Sequence, residues 1–262
     1  MKRNLLLLIL FLCSVAMQVA SAQTVVLDYY FNHESHVAAD GQVKRFHYMW
    51  DDTTNAGFSK WGNEFKAQGA TLSYLATKPT IANLKRAAIY IIVDPDTKKE
   101  NPAPNYIQND NISEIANWVK IGGVLVLMAN DSANVELKHF NMLASRFGMH
   151  FNNDMQNHVL DDAHFEDGAV LINNNPVFKT AKKAFMKDVC SISLSGKAQP
   201  ILKAANKAVI AATAAYGKGI VFAVSDPWLY NEYVNGRLPI GFDNDIAMAD
   251  ITRYLLLKAK KH

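Results

Sequence analysis

Acidic and amide side chains gather at the ends of apolar runs in this sequence, and any chemistry would centre there. The run at 88–93 (AIYIIV) ends in Asp94-Pro95-Asp96, the run VLVLM at 124–128 ends in Ala129-Asn130-Asp131, and IVFAV at 220–224 ends in Ser225-Asp226-Pro227-Trp228. Short apolar runs bounded by turn residues read as strands buried on both faces. In an open α/β sheet, ligands bind outside the carboxyl ends of such strands. If the three runs are parallel neighbours, Asp94, Asp96, Asn130, Asp131 and Asp226 share one rim. Trp228 and Tyr230 follow directly. The polar, aromatic segment 31–57 would overhang the same rim with His47, Trp50, Asp51, Asp52 and Asn55. Carboxylates, amides and planar rings together suit a sugar, whose hydroxyls bond to Asp and Asn while rings cover its apolar face. Singly, each Asp or Asn has a plainer reading as a helix cap or turn former.

Other chemistries lack their patterns. A carboxylate pair could hydrolyse a glycoside at the right separation, which spacing along the chain does not supply. Ser132 follows the run at 124–128, but no G-x-S-x-G surrounds it. The eight histidines form no H-E-x-x-H, and His33 with His36 stands alone, so no metal is expected. Gly122-Gly123 precedes its strand instead of following it, so no phosphate loop and no cofactor are expected. Tyr233 reads equally as part of an aromatic platform or as packing under the last helix. Arg237 reads as a surface arginine that could also pair with a uronic acid carboxylate.

The elements that would position these residues alternate. Residues 24–30 read as a first strand, 58–68 as a helix with Phe58, Trp61 and Phe65 at helical spacing, 71–75 as a strand, and Pro79-Thr80 as the start of a short helix. Ile115, Trp118, Val119 and Ile121 mark a helix stopped by Gly122-Gly123. Residues 135–147 read as another helix, 208–214 and 220–224 as strands around a turn at Tyr216-Gly217-Lys218-Gly219, and 244–258 as the final helix. Segment 31–57 reads as one long loop. Residues 152–175 are rich in Asn, Asp and His. Residues 184–202 alternate weakly and are broken at Pro200. Alternating strands and helices through the first 150 residues predict an α/β fold with a mainly parallel sheet, followed by a strand-rich later half.

Lys2 and Arg3, an apolar stretch at 5–15 and Ala20-Ser21-Ala22 form the three parts of an export leader. The chain is expected to be cleaved near Ala22 and to act in the periplasm or outside the cell. Leu12 stands where a lipidated cysteine needs a small neighbour, so Cys13 is not expected to carry lipid. The remaining stretch of about 240 residues can bury an ample core. It holds one cysteine, Cys190, read as a small buried hydrophobe. The net charge of +3 becomes +1 without Lys2 and Arg3. No basic face interleaved with aromatics points to nucleic acid, and no later run is long enough to span a membrane.

The segments FHYMWDDTTNAGFSKWG, IYIIVDPDTKKENPAPNYI, WVKIGGVLVLMANDSAN and GIVFAVSDPWLYNEYVNGRLP, in that order, resemble a domain that accompanies unsaturated rhamnogalacturonyl hydrolases (glycoside hydrolase family 105) in Bacteroidetes. That domain is similar to the class I glutamine-amidotransferase-like group. The resemblance covers nearly all of the chain after the leader and implies a flavodoxin-like three-layer fold. Amidotransferases of this group place a nucleophilic cysteine just after the strand that corresponds to 124–128. Here Ala129, Asn130 and Asp131 stand there, so glutaminase chemistry is not implied. The chain also lacks the length and all-helical pattern of the family 105 catalytic module. Three functions follow as expectations: a non-catalytic domain that binds a glycan oligosaccharide or supports a partner glycosidase, a glycan hydrolase or lyase using rim carboxylates or His47, and a structural or oligomerising domain without ligand.

Overall fold

The computed structural model describes residues 22–131 and 133–260, with the backbone alone at Trp228 and Tyr230. The expected export leader up to residue 21, Cys13, Ser132 and the side chains of Trp228 and Tyr230 therefore lie outside the described residues.

The strands in chain order are β1 (Thr24–Asp28), β2 (Ser35–Val37), β3 (Val43–Arg45), β4 (Thr71–Leu75), β5 (Ala87–Val93), β6 (Val124–Met128), β7 (Met149–Phe151), β8 (Ala169–Leu171), β9 (Lys183–Phe185), β10 (Ile192–Leu194), β11 (Gln199–Lys203), β12 (Val209–Tyr216) and β13 (Gly219–Val224). The helices are α1 (Ser59–Ala67), α2 (Ile81–Leu84), α3 (Asn109–Lys120), α4 (Leu137–Ser145) and α5 (Asn244–Ala259). Seven strands form the central sheet in the order β11-β12-β13-β6-β5-β1-β4. From β13 to β4 every pairing is parallel, while β12 and β11 add to the β13 side in antiparallel fashion. Small two-stranded antiparallel sheets pair β2 with β3, β7 with β10 and β8 with β9.

The period-two alternation of strand side chains divides the core into two layers. Val25, Leu27, Ile89, Ile91, Val93, Val124, Val126, Met128, Phe222 and Val224 face α1 and α5, whose Trp61, Phe65, Ala247, Ile251 and Leu255 complete that layer. Tyr90, Ile92, Leu125, Leu127, Val221 and Ala223 face the opposite layer, where Leu84 of α2, Ile115, Trp118 and Val119 of α3, and Phe140 and Leu143 of α4 pack. The molecule is thus a three-layer α/β fold with a largely parallel core sheet.

Local rules set the element ends. Thr80 and Asn83 form a reciprocal capping box on α2. The chain leaves α3 through Gly122 at φ 135°, and Gly123 lies so close to Trp118 that a Cβ there would come within 2.4 Å of the ring. Ile121 does not join the apolar face expected for it. It is the C-cap and is exposed, because the helix ends one residue earlier.

Two further expectations are corrected. Segment 31–57 is not one loop: β2 and β3 form a hairpin within it. Nor does Pro200 break a strand. It lies inside β11, an edge strand, where its missing N–H is tolerated beside register shifts at Pro200/Leu202 and Leu202/Lys203. Cys190 is free and fully buried in the layer of α3 and α4.

Candidate functional site

Because β13, β6, β5 and β1 are parallel neighbours, their carboxyl ends bring Asp226, Asn130, Asp94 and Asp28 onto one rim. Asp94 is its centre. Its backbone N–H donates to Met128 O at 2.9 Å, and its Oδ2 accepts from the Tyr48 hydroxyl at 2.9 Å and from Asn130 Nδ2 at 3.3 Å. Its Oδ1 is buried with no hydrogen-bond partner. With the side chain 5% exposed, burial pushes its carboxyl well above the usual range, helped by the charges of Glu100 and Glu34 and opposed by the bonds from Tyr48 and Asn130. Asp94 also adopts φ 45°, and His47 and Tyr48 have φ 61° and 50°. Left-handed backbone is uncommon for residues other than glycine, and strain of this kind clusters at functional positions.

The other rim carboxylates are occupied within the protein. Asp28 accepts from the Tyr90 hydroxyl and from the N–H groups of Tyr30, Phe31 and Asn32, so it shapes the turn after β1. Burial raises it to about 6 against those bonds. Both oxygens of Asp96 accept from His33 N, and Oδ2 also from Asn101 Nδ2 at 2.7 Å. Burial raises this carboxyl to about 6 as well. Asp131 accepts from Ala133 N and Asn134 Nδ2 and closes its own turn. Asp226 is buried next to them on the rim. Two possible nucleophiles, Cys190 and Ser225, are withdrawn too. The Cys190 thiol is pushed up to about 12, chiefly by burial, and the buried Ser225 hydroxyl donates to Ile210 O at 3.0 Å.

Segment 31–57 supplies the overhang, with one correction. Trp50, expected as a ligand-facing ring, is only 7% exposed. It packs against Phe58, Trp61 and Phe65, and its indole N–H donates to Ser73 O. Burying a ring of that size in an aromatic cluster outweighs leaving it at the surface. His47 is half-buried, with Nδ1 2.6 Å from Glu34 Oε1. Asp51 is exposed and accepts from the Tyr74 hydroxyl at 2.7 Å, and Asn55 is exposed farther along the loop. Beside them lies an open concavity of about 650 Å³, lined by His36, Lys44, Arg45, Phe46, Asp51 and Asp52 among others. Arg45 lies over the Tyr29 ring at 3.4 Å and the Tyr74 ring at 4.3 Å, and Phe46 stacks on His47 with centroids 3.7 Å apart.

Reading the sequence missed Asp28, Glu34, Arg45 and Tyr48. Asp28 ends an apolar run as Asp94 and Asp226 do, so the same rule would have found it. Arg237 makes two 2.7 Å bonds to Asp162 and lies over the Tyr233 ring, which packs with Val159, Phe165 and Phe185. Among the described residues, no cluster of three or more His, Cys, Asp or Glu could hold a metal ion, and no helix is long and apolar enough to cross a membrane.

Neither a family model nor a curated protein matches the sequence. Solved structures do share the fold. The N-terminal domain of mmIFT52 superposes with a TM-score of 0.65 at 15% identity, over 89% of this chain and 97% of that one. A cytoplasmic protein, STM1381, from Salmonella typhimurium LT2 gives 0.58 at 11% identity, over 89% and 99%. A β-galactosidase from Bacillus circulans sp. alkalophilus gives 0.55 at 10% identity, over 90% of this chain but 31% of the enzyme. At these identities the likeness is one of fold. The chain corresponds to about a third of the β-galactosidase and to the whole of the other two.

Proposed function

We propose that this chain is an exported, non-catalytic carbohydrate-binding or accessory domain that acts beside a glycosidase in the breakdown of pectin- or rhamnogalacturonan-type polysaccharide. The observation that carries this reading is the contrast between a rim of buried carboxylates and the open concavity next to it. Lys44 and Arg45 would meet uronate carboxylates there, Asp51 and Asp52 would take hydroxyls, and Phe46 would offer a ring face. The buried Cys190 and Ser225 support a binding role over nucleophilic catalysis. The fold shared with one part of a β-galactosidase supports an accessory role. On this reading the domain is of the glutamine-amidotransferase-like, flavodoxin-like kind that accompanies unsaturated rhamnogalacturonyl hydrolases. Calorimetric titration with galacturonate oligosaccharides tests it. Binding without product formation, weakened about tenfold or more by Arg45→Ala, is expected. Absence of heat with every pectic fragment would sink it.

One observation favours a second reading, a hydrolase or lyase acting on uronic acid glycans. The unpartnered Oδ1 belongs to Asp94, which is itself left-handed and bonded to left-handed Tyr48, and is suited to a carboxyl held as an acid. Product formation abolished by Asp94→Asn would establish that reading. No turnover by the wild type would remove it.

A further inference from the structure

Cations gather at the amino ends of the central strands, opposite the strand-tip rim. Lys85 and Arg86 precede β5, Lys120 precedes β6, Lys197 precedes β11 and Lys218 precedes β13. Two concavities lie at this end. One, of about 460 Å³, is walled by Lys120, Arg146, Lys197 and Tyr216 among others. The other, of about 380 Å³, is walled by Lys85, Arg86, Ile121 and Gly122 among others. They adjoin where α3 ends, since Lys120 belongs to the first and Ile121 to the second. Together they make a groove along the base of the sheet, and no residue lining either part is acidic.

This charge is not neutralised within the protein. Among the described residues, none of Lys85, Arg86, Lys120, Arg146 and Lys197 makes an ion pair, whereas Lys78, Lys183 and Arg237 elsewhere do. The segments that build the groove are themselves free of acids: residues 189–225 hold four lysines and no Asp or Glu, and residues 137–153 hold Lys138 and Arg146 and no Asp or Glu. Part of the pattern is local, because cations suit helix C-termini, and α3, α4 and α5 all end here. At about half a negative charge each, three helix ends leave most of the positive charge unmatched. The half-buried Tyr216 stands in the same wall, with Phe147 edge-on at 5.0 Å between centroids and the Arg146 guanidinium 5.7 Å from its ring.

We propose that this groove binds an extended acidic polysaccharide, with uronate carboxylates meeting Lys120, Arg146 and Lys197 in one concavity and Lys85 and Arg86 in the next. Tyr216 offers its ring to a sugar C–H face. A polymer with a carboxylate on each sugar suits two adjoining concavities better than a single small anion does. One half-buried ring falls short of the row of stacking platforms that holds single-stranded nucleic acid. The choice of a uronate polymer rests on the function proposed above. The groove shares no residue with the concavity at the β2–β3 hairpin, so the two sites can fail separately.

The test is NMR titration of the intact chain with a galacturonate trimer, a longer galacturonate oligomer, the methyl ester of that oligomer and a single-stranded oligonucleotide. The amides of Gly122, Gly148 and Gly217 report on the groove, and that of Phe46 on the hairpin concavity. Saturable shifts at the glycines are expected with both acids, weakening as salt rises and absent with the neutral ester. Arg146→Gln with Lys197→Gln should weaken binding of both acids about tenfold or more. Lys85→Gln with Arg86→Gln should weaken the longer oligomer and leave the trimer's shifts at Gly148 and Gly217 unchanged, because only the longer chain spans both concavities. All four side chains are exposed, so these variants should fold. The proposal is overturned if the ester binds as the acid does, if the oligonucleotide binds more tightly than the oligomer, or if either double substitution leaves the longer oligomer's affinity unchanged. Shifts at Phe46 alone would overturn it and sustain the hairpin concavity as the glycan site. Shifts at the glycines alone would sustain the groove against the hairpin concavity.

Discussion

The strand-tip rim and the hairpin concavity place acidic side chains in different surroundings. At the rim, Asp28, Asp96 and Asp131 accept backbone N–H groups and amides from nearby turns, and Asp94 is held by Tyr48 and Asn130. In the concavity, Asp51 and Asp52 also accept bonds, from the Tyr74 hydroxyl and from Thr54, but Asp51 is exposed, Asp52 is half-buried and both lie beside Lys44 and Arg45. A buried carboxylate without bonds is too costly to keep, so the strand ends that rank first as sites by sequence become the scaffold. The segment covering them is left to meet ligands.

That contrast can be broken most forcefully at Asp28. Asp28→Ala leaves the Tyr90 hydroxyl and the Phe31 N–H unmatched in the interior, and denaturant unfolding should show a loss of about 2–4 kcal/mol. An equal, small loss at Asp28 and Asp51 would erase the distinction between rim and concavity.

Next in size is a pH effect. Asp28 and Asp96 are raised to about 6, so between their ordinary value of 3.8 and about 6 the folded chain holds protons that the unfolded chain has released. Stability should therefore fall as pH rises through this window, by about 1.4 kcal/mol per pH unit for each such group, and level off once both states are ionised. Asp94, also raised well above its ordinary value by burial, should add to the fall. Asp94→Asn should remove its share and raise Tm at neutral pH. Asparagine accepts from Tyr48 as aspartate does, and it tolerates φ 45°. A Tm that climbs from pH 5 to pH 7 in the wild type would contradict the burial argument.

Smaller still is Arg237→Ala, which releases the Asp162 clasp on segment 231–242. Asp162 is well exposed, so thermal unfolding should register less than about 1 kcal/mol. Amide exchange at 231–242 should nonetheless quicken. Asp51→Ala should be smallest, within about 0.5 kcal/mol by denaturant unfolding, with its effect confined to glycan binding.

The sheet was legible because its strands carry unbroken apolar runs. Val124–Met128 matches its run residue for residue, and the Phe58, Trp61 and Phe65 spacing marked the buried face of α1. The β2–β3 hairpin escaped because all six of its residues are exposed, so neither strand carries a hydrophobic period. Trp50 was misplaced because the polar run Asp51-Asp52-Thr53-Thr54-Asn55 follows it. Its partners Trp61 and Phe65 lie more than ten residues away, and only the fold brings them together. The basic groove escaped for a related reason: its cations are scattered along the chain, and only the parallel sheet brings them to one end.

Pro200 has a consequence outside this chain's own fold. Strand β11 ends the central sheet, and an open edge is a template on which another chain can grow a ladder. Pro200 has no N–H to offer a newcomer, the two neighbouring register shifts twist the edge out of line, and Lys203 places a charge at its end. Strand-by-strand growth is therefore disfavoured on that side of the sheet.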